Sequence, residues 1–328
     1  MSGWLPSAPC TPGACVQATA RACAVPRAVL RLTGVVALLL AGIALAPLGA
    51  RLPARAVRAW CRWLVRAAGV RIRVTGAAAP RGGLLLVANH ISWLDVPLLA
   101  AVRPARMLAK REIRHWPVAG ALAARGALFI DRDRLRALPA TVDRVAAALR
   151  AGGTVAVFPE GSTWCGRAQG RFRRAVFQAA LDAGARVQPV RIRYRRADGG
   201  TATAPAFVGE DSLLASVWRV AASRGLVAEV DVRPALAPDA HPDRRALARA
   251  AQHACADTPE PWHAAVVADG LPQGGTGPGA AGRDGGAAAD VGSVAVGAGG
   301  AGAGVAAVAV RAGGITAGAG GVTVPRGT

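Results

Sequence analysis

Aromatic residues make up only 4% of this 328-residue chain, which has a single Tyr. With Ala and Gly abundant, part of the length need not be packed core. Acidic residues are also scarce: 19 Asp and Glu face 40 Lys and Arg, a formal charge of +21. That balance points to anionic partners, either nucleic acid or a phospholipid surface. No RNA- or DNA-binding motif is present and stacking aromatics are missing, which argues for no nucleic acid. A mean hydropathy of +0.32 favours the membrane. The six cysteines lack CxxC or CxxH spacing, so neither a disulfide framework nor a metal site is expected, and a reducing cytosol fits. No lipobox-like stretch precedes Cys15 or Cys23.

What is there begins after residues 1–27, a mixture of Pro, Gly, Cys and Ala expected to be disordered. Leu32 to Ala50 is an uncharged run of 19 residues, close to the ~20 needed to span a bilayer. A secretory signal fits less well, because the run sits late and no polar mature domain follows. A buried helix pair is the other rival. Next come Arg51, Arg55, Arg58, Arg62 and Arg66, which fall within a helical face about 80° wide at ~100° per residue. Val57, Trp60, Leu64 and Ala67 lie opposite. Such a basic amphipathic helix suits an anionic headgroup layer, with Trp60 toward acyl chains. Residues 28–69 are thus expected to associate with the membrane. The excess of arginine after the apolar run places the main domain on the cytoplasmic side of the inner membrane.

Residues 70–258 carry the pattern of an α/β domain with a mainly parallel sheet flanked by helices. Strands are expected at 71–75, 84–88, 105–108, 127–130, 154–158, 186–194 and 228–232, with helices at 138–151 and 174–183 among those between. Gly152-Gly153 and Gly184 are helix stops ahead of strands. Residues 259–328 turn to Ala, Gly and Val without helical periodicity and read as a disordered tail.

Chemistry concentrates where strands end. Asn89-His90-Ile91-Ser92-Trp93-Leu94-Asp95 follows the apolar run 84–88, so Asn89 and His90 fall at a strand terminus, where ligands gather in α/β folds. Positions five apart on one helix diverge by roughly 140°. His90 and Asp95 can meet only if His90 precedes the helix and Asp95 starts it. Asp95 would then accept from one imidazole nitrogen and leave the other as a base. The plainer alternative makes Ser92 and Asp95 a helix cap and His90 a loop residue.

Three further stretches follow in order: Gly126-Ala127-Leu128-Phe129-Ile130-Asp131-Arg132, then Phe158-Pro159-Glu160-Gly161-Ser162, then Val187-Gln188-Pro189-Val190-Arg191-Ile192. Together with Asn89 to Asp95, these resemble the four ordered blocks of the glycerolipid acyltransferase family, and Lys110, Trp116-Pro117 and Gly120 agree. The likeness covers about residues 55 to 250. Ser162-Thr163 stands where the third block usually ends in Thr. The resemblance implies a glycerolipid acyltransferase-like fold and esterification of 1-acyl-glycerol-3-phosphate to phosphatidic acid. The acyl donor would be acyl-CoA or acyl carrier protein, with no resident cofactor or metal. It also assigns Glu160 and Gly161 to the glycerol-phosphate site.

On chemical grounds His90 would take the acceptor's hydroxyl proton while Asp95 fixes its tautomer. Arg132 offers a planar fork for phosphate, unless it only pairs with Asp131 or Asp133. Glu160, which would repel phosphate, is expected to orient Arg132 or meet a glycerol hydroxyl. Gly161 permits close backbone approach, and Ser162 donates a hydrogen bond or caps a turn. Asn89, Gly126, Phe129, Phe158, Pro159 and Pro189 support the blocks. Cys165 has no neighbouring base in sequence and is not expected to be a nucleophile. Two rivals remain: another acceptor, such as a lyso-ornithine lipid, and a catalytically silent lipid binder, which the presence of both His90 and Asp95 disfavours.

Overall fold

The run Leu84–Ala88 is buried at all five positions and becomes the central strand β2 of a seven-stranded sheet. The computed structural model describes residues 8–17, 24–79, 82–110, 127–130 and 135–256. Gly126, Trp116, Pro117, Gly120, Asp131 and Arg132 lie outside them, as does the 259–328 tail. The strands are β1 (Val70–Thr75), β2, β3 (Arg106–Lys110), β4 (Leu128–Ile130), β5 (Thr154–Val157), β6 (Arg186–Arg195) and β7 (Leu226–Val232). Their order is β1-β7-β6-β2-β5-β3-β4, and all neighbours are parallel except β6 and β7. The helices are α1 (Pro12–Cys15), α2 (Val25–Leu45), α3 (Ala54–Ala67), α4 (Asp95–Val102), α5 (Leu138–Arg150), α6 (Ala175–Asp182), α7 (Leu213–Ala222) and α8 (Arg244–Cys255).

Side chains alternate along β2 and so feed two cores. Leu84, Leu86 and Ala88 join Leu64, Val65, Leu98, Leu99 and Val220 from α3, α4 and α7. Leu85 and Val87 join Val145, Leu149, Phe177 and Leu247 from α5, α6 and α8. Each fully buried Leu contributes about 1.5–3 kcal/mol before entropy is counted. Covering both faces is what makes β2 apolar at every position. Local signals set the helix ends: Asp243 accepts from the amides of Arg245 and Ala246 to start α8, and Gly152, at φ 77°, ends α5.

α2 and the turn after it, Val25–Leu48, are long and apolar enough to cross a membrane. α3 folds back along α2 as a hairpin. Gly34 faces Ala67, Gly42 faces Trp60, and the Trp60 indole donates to the Leu38 carbonyl at 3.0 Å. Trp60 is therefore covered by α2, contrary to its expected place among acyl chains. Trp63 is the exposed indole instead, while Arg55, Arg58, Arg62 and Arg66 are exposed. Arg31 near the start of α2 donates to the carbonyls of Ala221 and Ser223, which anchors the hairpin to the end of α7. A Cβ on Gly42 would lie 2.6 Å from the Trp60 ring. Gly42→Leu is expected to pry the hairpin open and cost about 1–3 kcal/mol, read as a lowered melting temperature of the detergent-solubilised protein.

The expectation of disorder across residues 1–27 fails for 8–17. Thr11 caps α1, the amide of Gln17 donates to Thr203 Oγ1 at 3.1 Å, and Cys10 and Cys15 are buried. Their sulfurs meet that of Cys165, although Cys165 is far from both in sequence. Sequence spacing could not show this, because residues 10 and 165 meet only through the fold.

Candidate active site

β2 ends at Ala88, but β6, in register with it from Leu84 opposite Arg186 to Ala88 opposite Val190, runs on to Arg195. The overhang gives the Asn89–Leu94 loop a backbone to rest on. Asn89 uses both ends of its amide there, donating to the Ile192 carbonyl at 2.9 Å and accepting from the Ile192 amide at 2.8 Å. The loop then turns into α4, which begins at Asp95.

Within that turn His90 Nδ1 lies 2.8 Å from Asp95 Oδ2. The same oxygen accepts from the amides of Ile91 and Ser92 at 2.6 and 2.8 Å, so it ties down the loop as well as the imidazole, and the start of α4 has no side-chain cap. Asp95 is 0% exposed, whereas the His90 side chain is 21% exposed. With Nδ1 committed to Asp95, Nε2 is the nitrogen left to work as a base, and among the described residues nothing bonds it. Phe158, just beyond β5, stacks on the imidazole with ring centroids 3.9 Å apart and planes 9° from parallel. The ring is thereby held flat as well as tethered.

Asp95 Oδ1 accepts from the Tyr194 hydroxyl at 2.7 Å. Burial, followed by the Asp95 charge, pushes the Tyr194 phenol well above its ordinary range, so it stays a proton donor. Sequence reasoning missed Tyr194. The available signals were its uniqueness in the chain and its place on the inward face of β6, in step with Val190 and Ile192.

Glu160 is buried. One carboxylate oxygen accepts from the His90 amide at 3.0 Å and the other from the Gly170 amide at 3.2 Å. Glu160 thus clamps the base of the His90 loop to the segment after β5, while Arg132, its expected partner, lies outside the described residues. Desolvation pushes its carboxyl well above the ordinary range and nearby Asp95 adds to this, offset only in part by the two amides. Glu160→Ala is expected to lower kcat by about tenfold to a hundredfold while leaving the acceptor KM nearly unchanged, since two buried amides lose their acceptor. A rise in KM alone would return Glu160 to the substrate pocket.

Gly161 has φ 80°, a left-handed turn that any side chain would strain, and its amide donates to the Phe158 carbonyl. Ser162 Oγ is buried and has no partner among the described residues. Pro159 accepts from the Arg173 amide, and Pro189 pairs with Val87 inside the sheet, accepting from the Arg233 amide. Phe129 lies in β4 beside Ala109. Gly126 and Arg132 belong to the residues left undescribed. The loop is closed from the other side by the Trp164 amide on the His90 carbonyl at 2.8 Å and the Phe207 amide on the Ile91 carbonyl at 3.0 Å.

A histidine tethered by a buried carboxylate thus stands at the end of a mainly parallel sheet, where ligands gather in such folds. Comparison with known proteins supplies the class. The acyltransferase family model matches residues 71–193. The chain is 41% identical over 238 residues to the lyso-ornithine lipid O-acyltransferase of Pseudomonas aeruginosa, covering 68% of this chain and 89% of that protein. It is 36% identical over 180 residues to the 1-acyl-sn-glycerol-3-phosphate acyltransferase of Neisseria gonorrhoeae, covering 54% and 70%. The crystal structure of the 1-acyl-sn-glycerophosphate acyltransferase from Thermotoga maritima aligns over 62% of this chain and 76% of that one, with a TM-score of 0.46 at 18% identity. The chain belongs to the acyltransferase family.

Proposed function

We propose that this acyltransferase moves a fatty acyl group from an acyl thioester, acyl-CoA or acyl carrier protein, to the free hydroxyl of a lyso-ornithine lipid. The observation that carries the chemistry is the 2.8 Å contact between His90 Nδ1 and buried Asp95, with Nε2 free of partners among the described residues. Nε2 takes the hydroxyl proton as the acceptor oxygen attacks the thioester carbonyl. The C–O bond forms, the C–S bond breaks, and the departing thiolate recovers the proton from the imidazolium. Direct transfer needs no acyl-enzyme. Cys165, the thiol just after the third block, is buried against two other cysteines.

The choice of acceptor is supported by the 41% identity to the Pseudomonas protein across 89% of its length. 1-Acyl-glycerol-3-phosphate is the second reading, supported by the 36% identity to the Neisseria protein. Arg132 serves either, because a guanidinium fork pairs with the ornithine carboxylate as it does with phosphate. Leu30, Val36, Leu40, Trp63, Leu214 and Trp218 are exposed apolar side chains on α2, α3 and α7, which suits contact with lipid. With α3 folded back along α2, both ends of the hairpin meet the catalytic domain, and the basic face of α3 supports a cytoplasmic setting at the inner membrane, beside anionic headgroups.

An acceptor panel tests this. Membranes carrying the protein receive labelled acyl-CoA and, side by side, lyso-ornithine lipid, 1-acyl-glycerol-3-phosphate and a neutral lysolipid. Preferential labelling of ornithine lipid is the expected result; preferential labelling of phosphatidic acid installs the second reading. Arg132→Ala is expected to raise the KM of the preferred acceptor by about tenfold or more, and an unchanged KM would assign its headgroup to another group.

A further inference from the structure

Three thiols that the proposed chemistry does not use converge behind the third motif. The sulfurs of Cys10, Cys15 and Cys165 all lie within 4.8 Å of one another, and each residue is 5% exposed or less. Two come from the ends of the N-terminal segment around α1, the third from the segment following Glu160-Gly161-Ser162. The convergence is built rather than casual. Thr11 caps α1, the Cys10 carbonyl sits against Gly209, and the Gln17 amide is pinned to Thr203, so the segment is fixed along its length. A hydrogen bond with Cys165, then burial, holds the Cys10 thiol well above its ordinary range, and burial raises Cys15, so a metal that enters must displace their protons.

We propose that Cys10, Cys15 and Cys165 form a binding site for one zinc-class divalent cation, held by three thiolates with a fourth position left to water. Thiolate-only ligation selects zinc over hard cations such as magnesium or calcium. Tetrahedral zinc with Zn–S of ~2.3 Å sets sulfurs about 3.8 Å apart, so closure from the observed spacing requires shifts of an ångström or less. A disulfide would use two of the three sulfurs and leave the third without a purpose. Binding balances as three thiols plus one dication giving a tris-thiolate complex and three protons.

The ion would act as a staple. Cys165 follows Trp164, whose amide holds the His90 carbonyl, so the metal would tie the N-terminal segment to the loop that carries the base. Its binding is measurable without any acyl-transfer assay, and the inference stands or falls separately from the proposed reaction.

The test uses the full chain in detergent, reduced and stripped of metal, then titrated with cobalt(II) and with zinc. The expected result is one ion per chain by elemental analysis, with a thiolate-to-cobalt charge-transfer band that zinc displaces. Cys10→Ser, Cys15→Ser and Cys165→Ser should each weaken binding at least tenfold, whereas Cys61→Ser and Cys255→Ser, elsewhere in the core, should not. Should Cys165→Ser fail to fold, Cys15→Ser and the wild-type titration still decide. No charge-transfer band in the reduced protein, a band that survives all three substitutions, or a purified chain lighter by two hydrogens and blind to metal until reduced would each overturn the site.

Discussion

Replacing His90 with Ala is expected to lower acyl transfer by on the order of 10²–10⁴-fold, the usual contribution of a positioned general base, with the protein still folded. The expectation of folding rests on how the loop is held. Asn89 binds β6, Glu160 takes the His90 amide, and Trp164 takes the His90 carbonyl, so backbone and neighbours fix this turn without the imidazole. The side chain itself contributes one bond to Asp95 and a stack on Phe158. Being part exposed, it leaves an opening that water can fill. His90→Gln keeps polarity at the site without supplying a base, and should be as inactive as the alanine variant. The measurement is single-turnover transfer from labelled acyl-CoA alongside the melting temperature. Near-normal turnover in a folded variant would remove His90 as the base and move attention to another proton acceptor.

The same loop shows how far a sequence can be read. The spacing of five between His90 and Asp95 already required a loop residue facing a helix start, and α4 does begin at Asp95 with the imidazole beside it. Strands marked by apolar runs and glycine stops were legible for the same reason: burial on both faces leaves a continuous apolar signature, as at β2. Pairing direction was not. β7 is antiparallel to β6 yet parallel to β1, because the loop after β6 and α7 return the chain to the end of the sheet it left. No local pattern encodes that return. The clamping by Glu160 was not legible, because its partners there, the amides of His90 and Gly170, are invisible in a one-dimensional list of side chains. Tyr194 was overlooked because its strand seemed only structural, although β6 was already longer than the strand it pairs with, and that excess length is what brings the hydroxyl to Asp95.

Asp95→Asn should cost nearly as much as losing the base, about 10²–10⁴-fold in kcat, by analogy with buried carboxylates behind catalytic imidazoles, and without unfolding the loop. The Asn carbonyl can take the Oδ2 position and keep the amides of Ile91 and Ser92, while its NH2 faces the Tyr194 hydroxyl, whose oxygen can accept. The imidazole and both loop amides then keep their acceptor, while the Tyr194 hydroxyl must accept from the new NH2 and turn its own hydrogen elsewhere; the imidazolium formed during transfer faces a neutral amide in place of the buried charge. Tyr194→Phe isolates the other half. It leaves the charge and removes one donor of four, so kcat should fall only about threefold to tenfold, the equivalent of ~1 kcal/mol for one hydrogen bond. If the tyrosine acts through Asp95, the double variant should be little worse than Asp95→Asn alone, since the charge that its hydroxyl supports is already gone. Full additivity would mean that the two residues serve separate ends, and a fully active Asp95→Asn would mean that the carboxylate ties down the loop and does nothing for the base.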